Sequence, residues 1–293
     1  MRDMKYDIVM PVIREDSSVI LSNKVLLEKF IPFENLVFIT NKKTMEELPD
    51  LARNINVVNE ESMISYEEVR EYLKKINPNA AKRTGWYLQQ FLKMEYSKIC
   101  NKEYYLIWDS DTLPVRKYVP FDENGKPYFD MKTEFHKPYF NTISNIFFGM
   151  GKSIDGSYIS EHMIIKTDYM RKLIDEIEMN DDIPGTHFWE KILNSIDVKD
   201  LPMSGFSEFE TYGTYVQNRY KDQYSYRNWK SVRNCGECFR VNRLEKRDIE
   251  WIATQFDAVS FEKFSHFHKL KNFIVHNYVI QKVFSPEKFF AIL

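Results

Sequence analysis

The stretch Tyr104-Tyr105-Leu106-Ile107-Trp108-Asp109-Ser110-Asp111 decides the reading of this chain. Five consecutive apolar residues run directly into two carboxylates. A short, fully apolar run bounded by polar residues fits a strand covered on both faces, as in a parallel sheet flanked by helices. In open α/β sheets, ligands bind outside the carboxyl ends of such strands. Two carboxylates flanked by apolar residues cost free energy unless something compensates them. A divalent cation does so, and oxygen ligands suit Mg²⁺ or Mn²⁺, which bridge a protein to a phosphorylated substrate. Asp109 and Asp111 are therefore the candidate metal ligands. The alternative is a solvated strand-to-loop turn, where Asp is common.

The surrounding pattern supports a covered strand. Tyr6–Val12 (YDIVMPV), Leu36–Thr40 (LVFIT) and Ile55–Val58 read as earlier strands, and Ser17–Phe30 has the composition of a helix. Ser65 with Glu68 forms a capping-box pattern for a helix running to about Lys75. From Thr84 to Ile99, Leu88, Phe91, Leu92, Glu95 and Ile99 share one helical face. Strands alternating with helices predict an α/β fold, a mainly parallel sheet with helices on both faces.

Downstream of the carboxylates the pattern is less regular. Pro120–Tyr139 is rich in turn formers, and Phe147–Ser157 reads as a loop. Tyr158–Ile165 (YISEHMII) reads as a strand. Thr167, Thr186 and Ser207 read as helix caps, the last with Glu210 at the capping-box position. With no repeat, low-complexity segment or linker, a single domain over 1–293 is expected. Its nucleotide-binding half would be about 1–116 and its acceptor-binding half about 117–293.

Composition narrows the classes. The 293 residues carry 41 Lys+Arg against 43 Asp+Glu, a net charge of -2, which gives no support to a nucleic-acid-binding surface. No apolar run approaches the ~20 residues of a membrane span, and Met1–Met10 lacks the pattern of a secretory signal. A cytoplasmic location follows as an expectation. Cys235 and Cys238 form a C-G-E-C segment with no second pair to complete a zinc site, so incidental reduced thiols are the expectation.

The segment Arg83-Thr84-Gly85-Trp86-Tyr87-Leu88-Gln89-Gln90-Phe91-Leu92-Lys93 opens the helix before the acidic strand. Helix N-termini receive anions, so Arg83, Gln89 and Lys93 are candidates to hold a phosphate or a sugar. An ordinary amphipathic helix would show the same polar face.

The ordered set YDIVMPV, RTGWYLQQFLK, YYLIWDSDTLPVR, SYISEHMI and SEFETYG resembles a bacterial glycosyltransferase-like family of GT-A type, one long described only as a domain of unknown function. The resemblance spans nearly the whole chain. It implies a nucleotide-sugar-dependent transferase with a UDP-sugar as first-choice donor, Mn²⁺ or Mg²⁺ as cofactor, and a cell-surface polysaccharide, oligosaccharide or lipid-linked acceptor. Some association with the inner face of the membrane would accompany such an acceptor. By the same resemblance, Pro11, Val12 and Arg14 leave the first strand where the nucleoside is cradled, and Asp109 and Asp111 hold the metal and donor. Ser160, Glu161 and His162 lie beside the acceptor. Glu208 and Glu210 occupy the segment that carries the base of an inverting enzyme. His266 or His268 would add a metal ligand, and Lys269 or Lys271 would neutralise diphosphate charge.

Each has a structural alternative. Glu210 is a capping residue, Glu208 suits a helix first turn, His162 interrupts an apolar strand pattern, and Trp229, Lys230 and Arg233 form a basic aromatic cluster that reads as a solvated face. Glu208 is the better base of its pair, projecting outward from the helix start. Competing functions are a haloacid-dehalogenase-like phosphatase, which also uses D-x-D but normally at the end of its first strand; a sugar-phosphate nucleotidyltransferase, whose glycine-rich loop is missing after Tyr6–Ile13; and a non-catalytic carbohydrate-binding module.

Overall fold

The computed structural model of the chain describes residues 5–47, 55–152, 154–262 and 265–292. The first half runs β1 (Tyr6–Pro11), α1 (Ser17–Phe30), β2 (Leu36–Thr40), α2 (Lys42–Glu47), β3 (Asn56–Asn59), α3 (Tyr66–Ile76), α4 (Thr84–Ile99) and β4 (Tyr104–Trp108). There follow β5 (Thr112–Pro114), β6 (Tyr128–Met131), α5 (Lys137–Ile146), β7 (His162–Lys166), α6 (Thr167–Glu178), α7 (Phe188–Ser195) and α8 (Glu208–Arg219). The last part contains β8 (Ser225–Asn228), β9 (Ser231–Val232), α9 (Lys246–Ile252), β10 (Ala258–Ser260), α10 (Lys269–Val275), α11 (Tyr278–Val283) and α12 (Pro286–Ile292).

The central sheet has the order β3-β2-β1-β4-β7. All its pairings are parallel except β4 with β7. This is the mainly parallel α/β architecture the alternation predicts. The apolar lead-in explains the central position: Tyr104, Tyr105, Leu106, Ile107 and Trp108 are all buried. Register places Tyr6 opposite Tyr104 and Val9 opposite Ile107. From β1 the chain builds outward through β2 to β3, then returns across the sheet to β4. With right-handed crossovers, that reversal puts α1 and α2 on one face and α3 and α4 on the other. The crevice beyond the carboxyl ends of β1 and β4 is the switch point of the sheet.

Two apolar cores hold these layers. The larger surrounds the sheet and takes Tyr87, Leu88, Phe91 and Leu92 from α4 with Met170, Leu173, Ile174 and Ile177 from α6. The smaller gathers Leu26 of α1, Leu113 and Val115, Val259 of β10, Ile252 of α9, Val275 of α10 and Phe289 of α12. A three-stranded sheet, β5-β10-β9, lies directly after the acidic segment.

Several local readings change. The strand expected at Tyr158–Ile165 begins only at His162, because Glu161 adopts φ 63°, a left-handed conformation that ends strand pairing. Lys166 rather than Thr167 is the N-cap of α6. The Thr167 hydroxyl instead donates to the Lys102 carbonyl at 2.7 Å. His187 rather than Thr186 caps α7. The turn-rich stretch Pro120–Tyr139 also contains β6 and the start of α5, whose Pro138 sits where helices tolerate it.

Candidate active site

Asp109 follows β4 immediately, and its N–H donates to the Glu161 carbonyl at 2.9 Å. Asp111 immediately precedes β5, and its carbonyl accepts from the Phe261 N–H at 2.9 Å. Both ends of the acidic segment are thus fastened by backbone, Asp109 to the residue before β7 and Asp111 to the residue after β10. Between them, the Ser110 carbonyl accepts from Asn23 at 3.2 Å and its hydroxyl donates to Asp16 at 3.3 Å, which ties the segment to α1.

The Lys93 ammonium, buried on α4, lies 2.6 Å from Asp109 Oδ1 and 2.7 Å from Glu208 Oε1. Phe209 covers it with its ring, 4.7 Å away. Burial opposes the charge on Lys93, but the two carboxylates outweigh it and raise its pKa, so the ammonium stays charged. Glu208 is held from its other side, its N–H donating to Gln90 Oε1 at 3.3 Å.

Asp111 is in the opposite condition. Burial, then the neighbouring Asp109 charge, push its carboxyl up to about 7, with Asp16 and Glu262 adding repulsion against a single lowering hydrogen bond from Thr112. Asp109 and Asp111 are thus the acidic pair of this segment, with Asp16 and Glu262 near enough to act on Asp111 electrostatically while Lys93 is shared with Glu208. In charge and in ligand hardness a carboxylate pair suits Mg²⁺ or Mn²⁺. Among the described residues, no group of three or more His, Cys, Asp or Glu is gathered to hold a metal.

The other expected residues separate into those near this segment and those elsewhere. Pro11 ends β1, beside β4. The Val12 side chain is buried, its N–H donating to Ile39 and its carbonyl accepting from Thr40, so only its neighbours can border the crevice. Arg14 opens a short 3-10 turn, and its side chain lies outside the described residues. Arg83 stacks on Trp86 and reaches Ser204 at 3.4 Å. Gln89 is exposed on α4, and its neighbour Gln90 is the residue that meets Glu208.

Glu208 does not project outward. It is 4% exposed and locked on Lys93, because α8 packs its first turn against α4. Glu210 does not close a capping box either. The Ser207 hydroxyl accepts from the Glu210 N–H at 3.3 Å, but the Glu210 carboxylate accepts from Ser157 at 2.5 Å and Tyr158 N–H at 3.2 Å.

Ser160 and His162 are buried rather than displayed to an acceptor. His162 bonds Asp130 at 2.8 Å and the Ser160 carbonyl at 2.7 Å, walled by Trp108, Tyr118 and Trp229. Arg227 completes that group on Asp130 at 2.6 Å. Glu161 is also buried, on Lys132 and Ser231.

His266 and His268 are exposed in the segment before α10. Lys271 bonds Glu237 at 2.7 Å, and Lys269 is exposed. Arg233, expected on a solvated face, bonds Glu262 at 2.6 Å and Glu134 at 3.1 Å, with Glu161 3.9 Å away. Asp16, Gln90, Lys132, Arg233 and Glu262 were missed as a group because each joins the carboxylates only through a long-range contact.

A model of the family of unknown function DUF6492 matches residues 5–280. No curated protein matches the chain. Among solved structures, the galactosyltransferase LgtC in complex with donor and acceptor sugar analogues overlaps with a TM-score of 0.42 at 12% identity, covering 98% of this chain and 100% of that one. GlyE of Streptococcus pneumoniae TIGR4 overlaps with a TM-score of 0.37 at 11% identity, over 96% and 63%. The bifunctional glycosyltransferase WbbM overlaps with a TM-score of 0.43 at 10% identity, over 88% and 46%.

Proposed function

This chain belongs to DUF6492, a family of unknown function, and we propose that it is a metal-dependent glycosyltransferase that moves a sugar from a nucleotide-sugar donor to a glycan or lipid-linked acceptor. The observation carrying this reading is the position of Asp109 and Asp111: a converging carboxylate pair beyond β4, at the switch point of a mainly parallel sheet. Asp109 and Asp111 would hold Mn²⁺ or Mg²⁺, which stabilises charge on a diphosphate leaving group.

The chain's own residues supply rigidity and charge balance. Lys93 orients Asp109 through a 2.6 Å bond, while Glu208 fixes Lys93. Pre-oriented groups of this kind lower a barrier because no reorganisation is needed as charge develops. Glu208 is assigned as the anchor of Lys93 and not as the acceptor's base. A phosphatase reading has less support, since the acidic pair follows the fourth strand in chain order.

The test is donor hydrolysis over a panel of UDP-, GDP- and CMP-sugars, with and without Mn²⁺. Turnover of at least one donor, dependent on metal, is the expected result. Failure with every donor, together with no metal-dependent thermal stabilisation by any of the three nucleotides, overturns the reading.

A further inference from the structure

The turn after α5 holds one aromatic ring wholly in solvent. Phe147 is buried, its ring 5.4 Å from that of Tyr215 on α8, and Met150 is buried too. Between them Phe148 is 100% exposed. The turn is fixed by backbone: the Phe147 N–H donates to the Ile143 carbonyl, Gly149 to Ser144 and Met150 to Phe147. Phe148 takes φ 25° and Gly149 φ 75°, the left-handed region that a residue with a side chain rarely enters. An outlier imposed by its surroundings points to a use for the side chain it presents.

Beside Phe148 lies a cavity of about 860 Å³, walled by Ile146 of α5, Lys172 and Asp175 of α6, Met179 at the end of α6, and Tyr215 and Arg219 of α8. From Glu208 to Arg219, α8 spans roughly 17 Å, so the cavity lies away from the acidic segment. Met170, Leu173, Ile174 and Ile177 of α6 enter the larger core. Lys172, Asp175, Glu176 and Met179, spaced three and four apart, therefore form its outward stripe, and Met179 is 78% exposed.

Charge selects the occupant. The wall carries two cations, Lys172 and Arg219, and two acids, Asp175 and Glu176. A balanced wall favours a partner of neither sign and is complementary to itself. Arg219 and Glu176 pair within the chain. Lys172 and Asp175 do not: among the described residues neither is in an ion pair, and Lys172 lies 5.5 Å over the Tyr220 ring. An isologous contact requires one patch to supply both halves of every pairing. This patch supplies a cation and an acid three positions apart on one helix, and a projecting ring with a hollow beside it.

We propose that this face is a two-fold interface between copies of the chain. α6 packs antiparallel on α6 of the second copy, so that Lys172 of each meets Asp175 of the other and Phe148 of each enters the other's cavity. Aromatic anchors seated in a partner's pocket dominate the binding energy of such contacts. The claim stands apart from the glycosyltransferase assignment, since it uses no residue around Asp109 and its test reads mass rather than turnover.

The experiment is sedimentation velocity of the full chain at concentrations up to about 100 μM. The parent is expected to form a dimer that dissociates on dilution. Phe148→Ser should weaken it by about tenfold or more. Lys172→Glu and Asp175→Lys each set like charges opposite one another, so each variant alone should be monomeric. Their equimolar mixture should restore the dimer: the acid introduced at 172 in one chain meets the lysine introduced at 175 in the other, and the native Asp175 and Lys172 meet. Unchanged thermal unfolding shows that the variants are folded, and the charge variants decide the matter even if Phe148→Ser unfolds. A parent that stays monomeric overturns the proposal. So does a dimer unaffected by the folded Phe148→Ser or by either charge reversal, and so does a mixture of the two charge variants that stays monomeric.

Discussion

The Lys93 ammonium lies 2.7 Å from the Glu208 carboxylate across 115 positions of sequence, and both side chains are almost wholly buried. The same nitrogen holds Asp109, so one cation joins α4, α8 and the acidic segment. Removing one partner of a buried ion pair leaves an uncompensated charge, which costs about 3–5 kcal/mol. Lys93→Met is expected to destabilise by that order in urea unfolding. Adding Glu208→Leu to Lys93→Met should recover part of the loss, giving a coupling energy of about 1–3 kcal/mol in a double-mutant cycle. Purely additive losses would show that the pair does not couple.

Asp111→Asn separates metal chemistry from folding. Asp111 sits among Asp109, Asp16 and Glu262, so removal of its charge relieves repulsion. Its thermal midpoint is expected to equal or exceed that of the parent. Turnover should fall by several kcal/mol in the barrier if the carboxylate holds a catalytic cation. A chelator should abolish the parent's activity, with Mn²⁺ or Mg²⁺ restoring it. A variant that turns over normally would remove Asp111 from the chemistry.

Glu210 yields a pH signature. Burial raises its pKa, against lowering hydrogen bonds from Ser157 and Tyr158. A carboxyl raised in the folded state contributes most below its unfolded pKa, near 4.3, and loses that contribution as pH rises through the folded value. The stability of Glu210→Gln relative to the parent should therefore improve from acidic to neutral pH. At neutral pH it should lie within roughly 1 kcal/mol of the parent, because the amide oxygen can accept both bonds. Relative stability that falls with rising pH would contradict the assigned shift.

Gly213 lies in the middle of α8, where the helix meets Tyr158. A Cβ there would press into the Tyr158 ring. Tyr158 is fully buried against Phe129, so the ring has little room to move. Gly213→Ala should lose about 1–3 kcal/mol through overpacking, despite alanine's better helix propensity. Equal or greater stability would show that the α8 contact is loose.

The acidic segment and its strand were legible because apolar runs and their polar ends are local. YYLIW folded as the buried strand it resembled, LVFIT as another, and Thr84–Ile99 as a helix. Glu161 was not legible as a strand break. Nothing in its type favours φ 63°, and its surroundings impose that conformation through Asp109 on its carbonyl and Lys132 and Ser231 on its carboxylate. Residue type placed Glu208 correctly at the start of a helix. Its orientation depended on how α8 packs against α4.

By itself, the sequence determined the alternation of strands and helices, the termination of a buried strand in two carboxylates, and the candidacy of Asp109 and Asp111. Those properties depend on hydrophobic periodicity and residue chemistry over a few neighbours. Only the tertiary structure decided that Lys93 is shared by Asp109 and Glu208, and that Asp16 and Glu262 crowd Asp111. It also decided that His162 closes on Asp130 in the core, and that α10 and α11 turn apolar residues outward. The physical reason is separation along the chain: electrostatic coupling and burial act between groups that only folding brings within a few ångströms.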